Sequence, residues 1–475
     1  PTGVTVYDPE RSWNGFTIFQ AQEVGAVLMD MNGREVNVWK GVHGMPNKIF
    51  PGGYLLTSRG RRSGKYSVQD GLDVIQVDWD GNVVWEFNKA EFIEDPGEKP
   101  QWMARQHHDY QRDGNPVGYY APGMEPKTDS GNTLVLCHRE VKCPYISDKP
   151  LLDDVVYEVD WEGEIVWEWL CSDHVEEFGF SEEARNAMSR CPNYRGGTLI
   201  ENAPALGDWM HINSMSVLGP NKWYDAGDER FHPDNIITDD GQEVIYIIDH
   251  KTGNIVWQVA PPFVGADAQL APITGVHGTH MIPRGLPGEG NILIFDNGGT
   301  MAGDLYSDTQ AHAWSRVIEF DPITKSRVWE YSAPTMKVAP GQFGQNFFFS
   351  PFISIAQRLP NGNTMITEGD MERVFELTPD YEMVWEYMAP YAMSAGGVLY
   401  RAYRVPYEFF PQLPKPEEVS VTPPANGLFQ LPNGKGEYAK TGVQGEVVKV
   451  NMAGASAAVE EDEEEDEQPQ GMHSY

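Results

Sequence analysis

Twelve histidines occur among the 475 residues, and several stand where a reaction could use them. His43 is single. Gln106-His-His-Asp109 carries the pair His107 and His108. Asp208-Trp-Met-His-Ile-Asn-Ser214 carries His211 and Asn213, and Gly275-Val-His-Gly-Thr-His280 carries His277 and His280. Imidazole titrates near neutrality, ligates metals, and acts as nucleophile, acid or base. One such histidine alone reads as a hydrogen-bonded structural residue. Four groups at equivalent stations of a repeat read instead as a converging set, either a metal site or a nucleophile with its supporting donors. Asp109 and Asp208 are placed to orient neighbouring imidazoles or to form turns. One station has no histidine: Ser350-Pro-Phe-Ile-Ser-Ile-Ala-Gln-Arg358 offers Ser354 instead.

The stations are equivalent because the chain repeats. Six copies of a turn, a few β-formers and a Trp recur: Asn32-Gly-Arg-Glu-Val-Asn-Val-Trp39, Gly81-Asn-Val-Val-Trp85, Gly163-Glu-Ile-Val-Trp167, Gly253-Asn-Ile-Val-Trp257, Ser326-Arg-Val-Trp329 and Tyr381-Glu-Met-Val-Trp385. Short alternating strands precede each copy, among them Val74-Ile-Gln-Val-Asp78, Val156-Tyr-Glu-Val-Asp160 and Val317-Ile-Glu-Phe-Asp321, punctuated by Gly, Asn, Asp and Pro. Each unit is too small to bury its own apolar face, so neighbours must stack. The expected fold is all-β: a six-bladed β-propeller over residues 1–415 with long inter-strand inserts at 88–130, 170–207 and 259–275. The six Trp are expected to pack between blades. Inserts of this length shape access to the hub, where inner strands converge. Ser181 to Arg190 reads as a short helix capped by Ser181. A C-terminal extension is expected at 416–459, and a disordered tail at 460–475, because eight carboxylates follow one another from Glu460 to Glu467.

The net charge of −35 disfavours nucleic acid and anionic membranes as partners. No apolar stretch long enough to span a bilayer is present, and the first residues lack the pattern of a signal peptide. The chain is therefore expected in the cytoplasm, or in the periplasm if a leader was removed. Four cysteines, Cys137, Cys143, Cys171 and Cys191, are too few for a disulfide framework and lack CxxC spacing.

Several segments together resemble the bacterial aryl-sulfate sulfotransferase family. They are Asp208-Trp-Met-His-Ile-Asn-Ser214, His280 followed by Gly290-Asn-Ile-Leu-Ile-Phe-Asp-Asn-Gly298, Ser315-Arg-Val-Ile-Glu-Phe-Asp-Pro322 with Val328-Trp-Glu-Tyr331, and Gln357-Arg-Leu-Pro-Asn-Gly-Asn-Thr-Met-Ile-Thr-Glu-Gly369. The resemblance covers most of the ring. It implies nucleotide-independent sulfuryl transfer: an imidazole attacks an aryl sulfate, a sulfohistidine forms, and a second phenol takes the group. By motif it makes His211 and His280 catalytic, as charge donors and leaving-group residues, with Arg316 a candidate cation. The chain departs from the family pattern in two places. Ser354 stands where the family's nucleophilic histidine is expected, and Gly299-Thr-Met301 stands where its arginine is expected. The nucleophile would then be another histidine, with His108 taken into the catalytic set. His43, His107, His277, Asn213 and Ser354 would contact an aromatic small-molecule substrate, and no cofactor would be needed. Two other readings stay open. One is an oxidoreductase or lyase with Cu, Mn or Zn on His43, His108, His211 and His280. The other is a non-catalytic propeller that binds partners. Loss of His211 or His280 is expected to abolish activity with little effect on stability.

Overall fold

The computed structural model describes residues 2–21, 24–61, 70–94, 99–193, 207–261, 265–270, 273–299, 314–332, 348–391 and 398–422. Six antiparallel sheets, each four-stranded at its core, form a six-bladed β-propeller. From the axis outward, blade 2 runs Lys48–Phe50, Tyr54–Thr57, Val74–Val77, Val83–Phe87, and blade 3 runs Gln106–Arg112, Thr133–Val141, Leu151–Val159, Ile165–Leu170. Blade 4 runs Ile212–Val217, Ile236–Asp240, Ile245–Ile248, Ile255–Val259, and blade 5 runs Val276–Met281, Ile292–Asp296, Arg316–Phe320, Arg327–Ser332. Blade 6 runs Ile355–Arg358, Thr364–Glu368, Arg373–Leu377, Met383–Met388, with Gly3–Tyr7 added at its outer edge. Blade 1 closes the ring. Its innermost strand, Ala402–Val405, comes from the far end of the chain and pairs with Phe16–Ala21, ahead of Gly25–Met29 and Glu35–Trp39.

Burial follows this order. The second and third strands are covered on both faces by neighbouring blades, so Ile236–Asp240, Ile292–Asp296 and Arg316–Phe320 are buried throughout. Outermost strands face solvent on one side, which leaves Val83 and Val166 exposed within them. A ring of Trp hydrogen bonds joins the blades. Trp39, Trp85, Trp257, Trp329 and Trp385 donate their Nε1–H groups to the carbonyls of Asp78, Asp160, Pro322, Pro379 and Met31, each in the next blade round. In blade 3 the register differs from the expectation. Trp169, not Trp167, makes the bond, to Gly253 O at 2.8 Å, while Trp167 lies against His250. Ile165–Leu170 carries two Trp on one face, and the one further along the strand reaches the neighbour.

The stretch 88–130 proves to be more than an insert, because it contains the inner strand Gln106–Arg112 and a small hairpin, Glu91–Ile93 with Gln101–Met103. The helix Glu182–Arg190 is present, and Ser181 Oγ caps it by accepting from Ala184 N–H. The chain divides into a unit Pro1–Thr422 and a second unit Pro423–Tyr475. The second, with most of the expected extension, the acidic tail and His473, lies outside the described residues, as does His312. The first unit runs past the expected boundary at 415, since Val421 still pairs with Tyr7. No helix among the described residues is long and apolar enough to cross a membrane.

The closure can be tested directly. A chain ending at Arg401 loses the inner strand of blade 1 and exposes the Phe16–Ala21 edge. It is expected to aggregate or unfold without a cooperative transition, whereas a chain ending at Thr422 should melt as one unit. Differential scanning calorimetry of both decides this; a sharp transition in the shorter chain would refute the closure.

Candidate active site at the propeller hub

Blades 3 to 5 share one local device at their inner strands. Pairing between the first two strands slips between Gln106 and Tyr110, between Ile212 and Ser214, and between His277 and His280. At or just before these breaks the backbone turns left-handed, with φ of 52° at His108, 60° at His211 and 65° at Gly278; blade 6 pairs without a slip, although Ser354, just ahead of its inner strand, also has φ of 90°. Such bulges re-aim side chains, and left-handed non-glycine residues concentrate at functional sites. Gly278 has no choice, because a Cβ there would sit 2.8 Å from Ile355 Cγ1. The result is a buried histidine group on the inner rim of blades 3 to 5.

His107, His108, His211 and His277 lie together. The rings of His108 and His211 meet edge to face with centroids 4.7 Å apart, and His277 lies 6.4 Å from His108. His107 Nδ1 and His108 Nδ1 are 2.8 Å apart, so one donates to the other. His138 joins them from the second strand of blade 3, stacked on His107 at 3.7 Å. The sequence reading had left it out. It also missed Asp154, which faces His138 across the paired strands, and Asp70, whose Oδ1 accepts from His138 Nδ1 at 2.7 Å.

Hydrogen bonds distinguish the rings. His211 Nδ1 bonds Asp208 Oδ2 at 2.7 Å, so Asp208 does orient an imidazole. His277 Nδ1 bonds Asn297 Oδ1 at 2.7 Å, while its Nε2 accepts from Ile353 N–H. His280 is fully engaged elsewhere: Nδ1 with Gly278 O at 2.8 Å, Nε2 with the Tyr119 hydroxyl at 2.7 Å. His43 is exposed and stands apart from the buried group. Arg316 lies on the third strand of blade 5 in a bond to Asp296, and Ser354 Oγ bonds Ser350 Oγ and Gly369 N–H. Asn213 holds the carbonyl of Val276 through its amide. Of the described residues, the only trio of His, Cys, Asp or Glu close enough to share an ion is His107, His138 and Asp154. It has no member in common with the set His43, His108, His211 and His280.

Electrostatics keep most of these rings neutral. Burial, then the His138 charge, pushes His107 down to about 4, and burial pushes His277 to about 3. His108 falls well below the usual range through burial and then through His211 and His107. His138 is the exception. Burial opposes its charge, but Asp70 outweighs burial and raises its pKa.

Beneath the histidines, Asp109 is shared by two buried cations rather than by an imidazole. Lys48 Nζ reaches its Oδ1 at 2.8 Å, and Arg401 Nη1 reaches its Oδ2 at 2.6 Å. Burial alone would raise the Asp109 pKa, but the two cations hold it low. Arg401, just before the closing strand, is the hub cation that the sequence reading sought at Arg316. These groups line a small cavity of about 20 Å³ together with His280, Tyr119 and Tyr403. That is room for about one water, far below the span of about 300–1,000 Å³ usual for small-molecule sites.

His280 offers a pH test. Burial lowers its pKa from 6.5 to about 4. Its contribution to stability is therefore present above 6.5 and is lost as pH falls from 6.5 towards 4, by up to about 1.4 kcal/mol per pH unit. His280→Gln, which takes no proton, should lose stability less steeply over that window. Urea unfolding of both proteins at neutral pH and near pH 5 measures it. Parallel curves would remove His280 as a titrating group.

The family follows from comparison. A family model described as Arylsulfotransferase (ASST) matches residues 125–384. The chain belongs to the arylsulfotransferase family. The match takes in the second strand of blade 3 through blade 6, and so His138, Asp154, His211, His277 and His280; His107 and His108 precede it. No curated protein matches. Solved structures similar to this arylsulfotransferase-family chain include a protein of unknown function from Bacteroides caccae, at 13% identity over 82% of this chain and 98% of that one, TM-score 0.41. The Dos1 propeller is similar at 12% identity over 84% and 76%, TM-score 0.34. The WD40 β-propeller domain of Doa1 is similar at 9% over 82% and 84%, TM-score 0.36. Likenesses this distant carry no functional weight.

Proposed function

We propose that this chain transfers sulfuryl groups between phenols without a nucleotide donor, with His211 as the nucleophile. The observation that carries the assignment is the Asp208–His211 pair at the hub, 2.7 Å apart and buried beside His108. A carboxylate on Nδ1–H fixes the tautomer and makes Nε2 the basic nitrogen. The resemblance gave His211 a donor role; its hydrogen bonding favours the attacking one.

In the first half-reaction His211 Nε2 attacks sulfur, the S–O bond to the aryl oxygen breaks, and a phenolate leaves. With His107 donating in the His107–His108 bond, His108 carries its proton on Nε2 and can donate to the developing negative charge. Lys48 and Arg401, both on Asp109, bring two cations to the axis, which favours an anionic sulfate ester. In the second half-reaction the acceptor oxygen attacks sulfur and the N–S bond breaks. The proton lost by the acceptor phenol balances the one gained by the departed phenolate. The test is incubation with 4-nitrophenyl sulfate and a phenol acceptor, followed by peptide mapping of the quenched protein. Release of nitrophenolate with a sulfuryl group on His211 is the expected result. Turnover without any covalent intermediate would overturn the mechanism.

A further inference from the structure

Three buried polar atoms at the hub are left without a hydrogen-bond partner although they lie side by side: His107 Nε2, His138 Nε2 and Asp154 Oδ2. An unpaired polar atom in a protein interior costs about 1–3 kcal/mol, so a cluster of them calls for an occupant. Their surroundings show what kind. His138 Nδ1 is committed to Asp70 Oδ1, and Asp70 is in turn held by Arg105 Nε at 2.9 Å. His107 Nδ1 is committed to His108. Both rings therefore turn their second nitrogen towards Asp154. His107 Nε2 comes within 3.1 Å of Asp154 Oδ1 but off the line of a hydrogen bond. Asp154 Oδ1 is steadied from the other side by Ile212 N–H at 3.3 Å.

We propose that His107, His138 and Asp154 form a binding site for one divalent first-row transition ion, such as Zn²⁺, Mn²⁺ or Co²⁺. Two imidazoles and a carboxylate are a donor set such ions favour, with positions left for water or substrate. The Asp70–His138 bond is the outer carboxylate–histidine contact that orients metal-binding imidazoles. The three ligand atoms lie within 4.8 Å of one another. Around zinc they would be roughly 3.3 Å apart, and because imidazole lone pairs lie in the ring plane, the two rings, stacked 11° from parallel, must tilt apart on binding. The set differs from the histidines first considered for a metal. It adjoins the Asp208–His211 pair without using it, so the site stands independently of the sulfuryl-transfer proposal.

The experiment uses the full chain, stripped with chelator and titrated with Co²⁺ under calorimetry and visible spectroscopy. One equivalent should bind, with d–d absorption displaced by Zn²⁺ and a raised melting temperature. His138→Gln and Asp154→Asn should lose the band, and Asp70→Asn should weaken binding about 10–100-fold. Melting of the metal-free variants shows that they remain folded, and if His138→Gln does not fold, Asp154→Asn decides. No stoichiometric binding, or binding undiminished in a folded ligand variant, overturns the proposal. Binding by a protein without sulfotransferase turnover would leave the metal site standing and remove only the proposed reaction.

Discussion

His211→Asn is expected to lower aryl-sulfate turnover by about 10⁴-fold or more, because removing the nucleophile of a covalent mechanism leaves only binding and charge stabilisation. Asparagine is chosen over alanine for a structural reason. His211 is 5% exposed and its Nδ1 bonds Asp208, which is itself buried. Alanine would leave that carboxylate unpaired, at about 1–3 kcal/mol, so the expectation that stability survives loss of this ring must be revised. Asparagine keeps an amide near the Nδ1 position and has nothing at Nε2. Asp208→Asn should keep the attacking nitrogen but release the tautomer, lowering the rate by about 10²-fold or more. Single-turnover release of nitrophenolate, read beside thermal unfolding, separates the cases. A His211→Asn protein that is folded and retains a tenth of the wild-type rate would exclude His211. A sulfuryl group mapped to His108 instead would move the role one ring along.

The ring was legible because its signal is local. Each Trp phrase and its turn lie within a few residues, so six copies announce six blades. The closing strand Ala402–Val405 carries no Trp phrase, and its partner Phe16–Ala21 stands at the other end of the chain. The histidine stations were legible for the same reason: each sits where an inner strand begins. What failed to show were contacts between strands. His138 and Asp154 meet because Thr133–Val141 pairs with Leu151–Val159 in one register, and aligning the two segments head to tail would have placed them opposite each other. Asp70 reaches the group from a different blade, bonding His138 directly, and no spacing could have indicated it. Arg316 was attractive for its neighbours in sequence, yet Asp296 already holds it; Arg401, with no motif around it, is the cation at the axis.

That axis supports the second large effect. Asp109→Ala is expected to destabilise the propeller by about 3–5 kcal/mol, because it strands two buried cations. Asp109 accepts from Lys48 and Arg401, and from the backbone N–H groups of Tyr110 and Met215. One carboxylate thus ties the inner strands of blades 2, 3 and 4 to the residue that precedes the closing strand of blade 1. Lys48 keeps Tyr110 O and Gln111 Oε1 as partners after the change, and Arg401 keeps Asn213 O. None of these carries a formal charge, and in a dry interior neutral acceptors replace a carboxylate poorly. The double variant Asp109→Asn with Lys48→Met removes one cation together with the carboxylate and should recover part of the loss. Chemical denaturation of the three proteins measures the sequence. If Asp109→Ala falls within 1 kcal/mol of wild type, the cations find solvent or repack, and the axis is not the rigid base that the histidine rim above it requires.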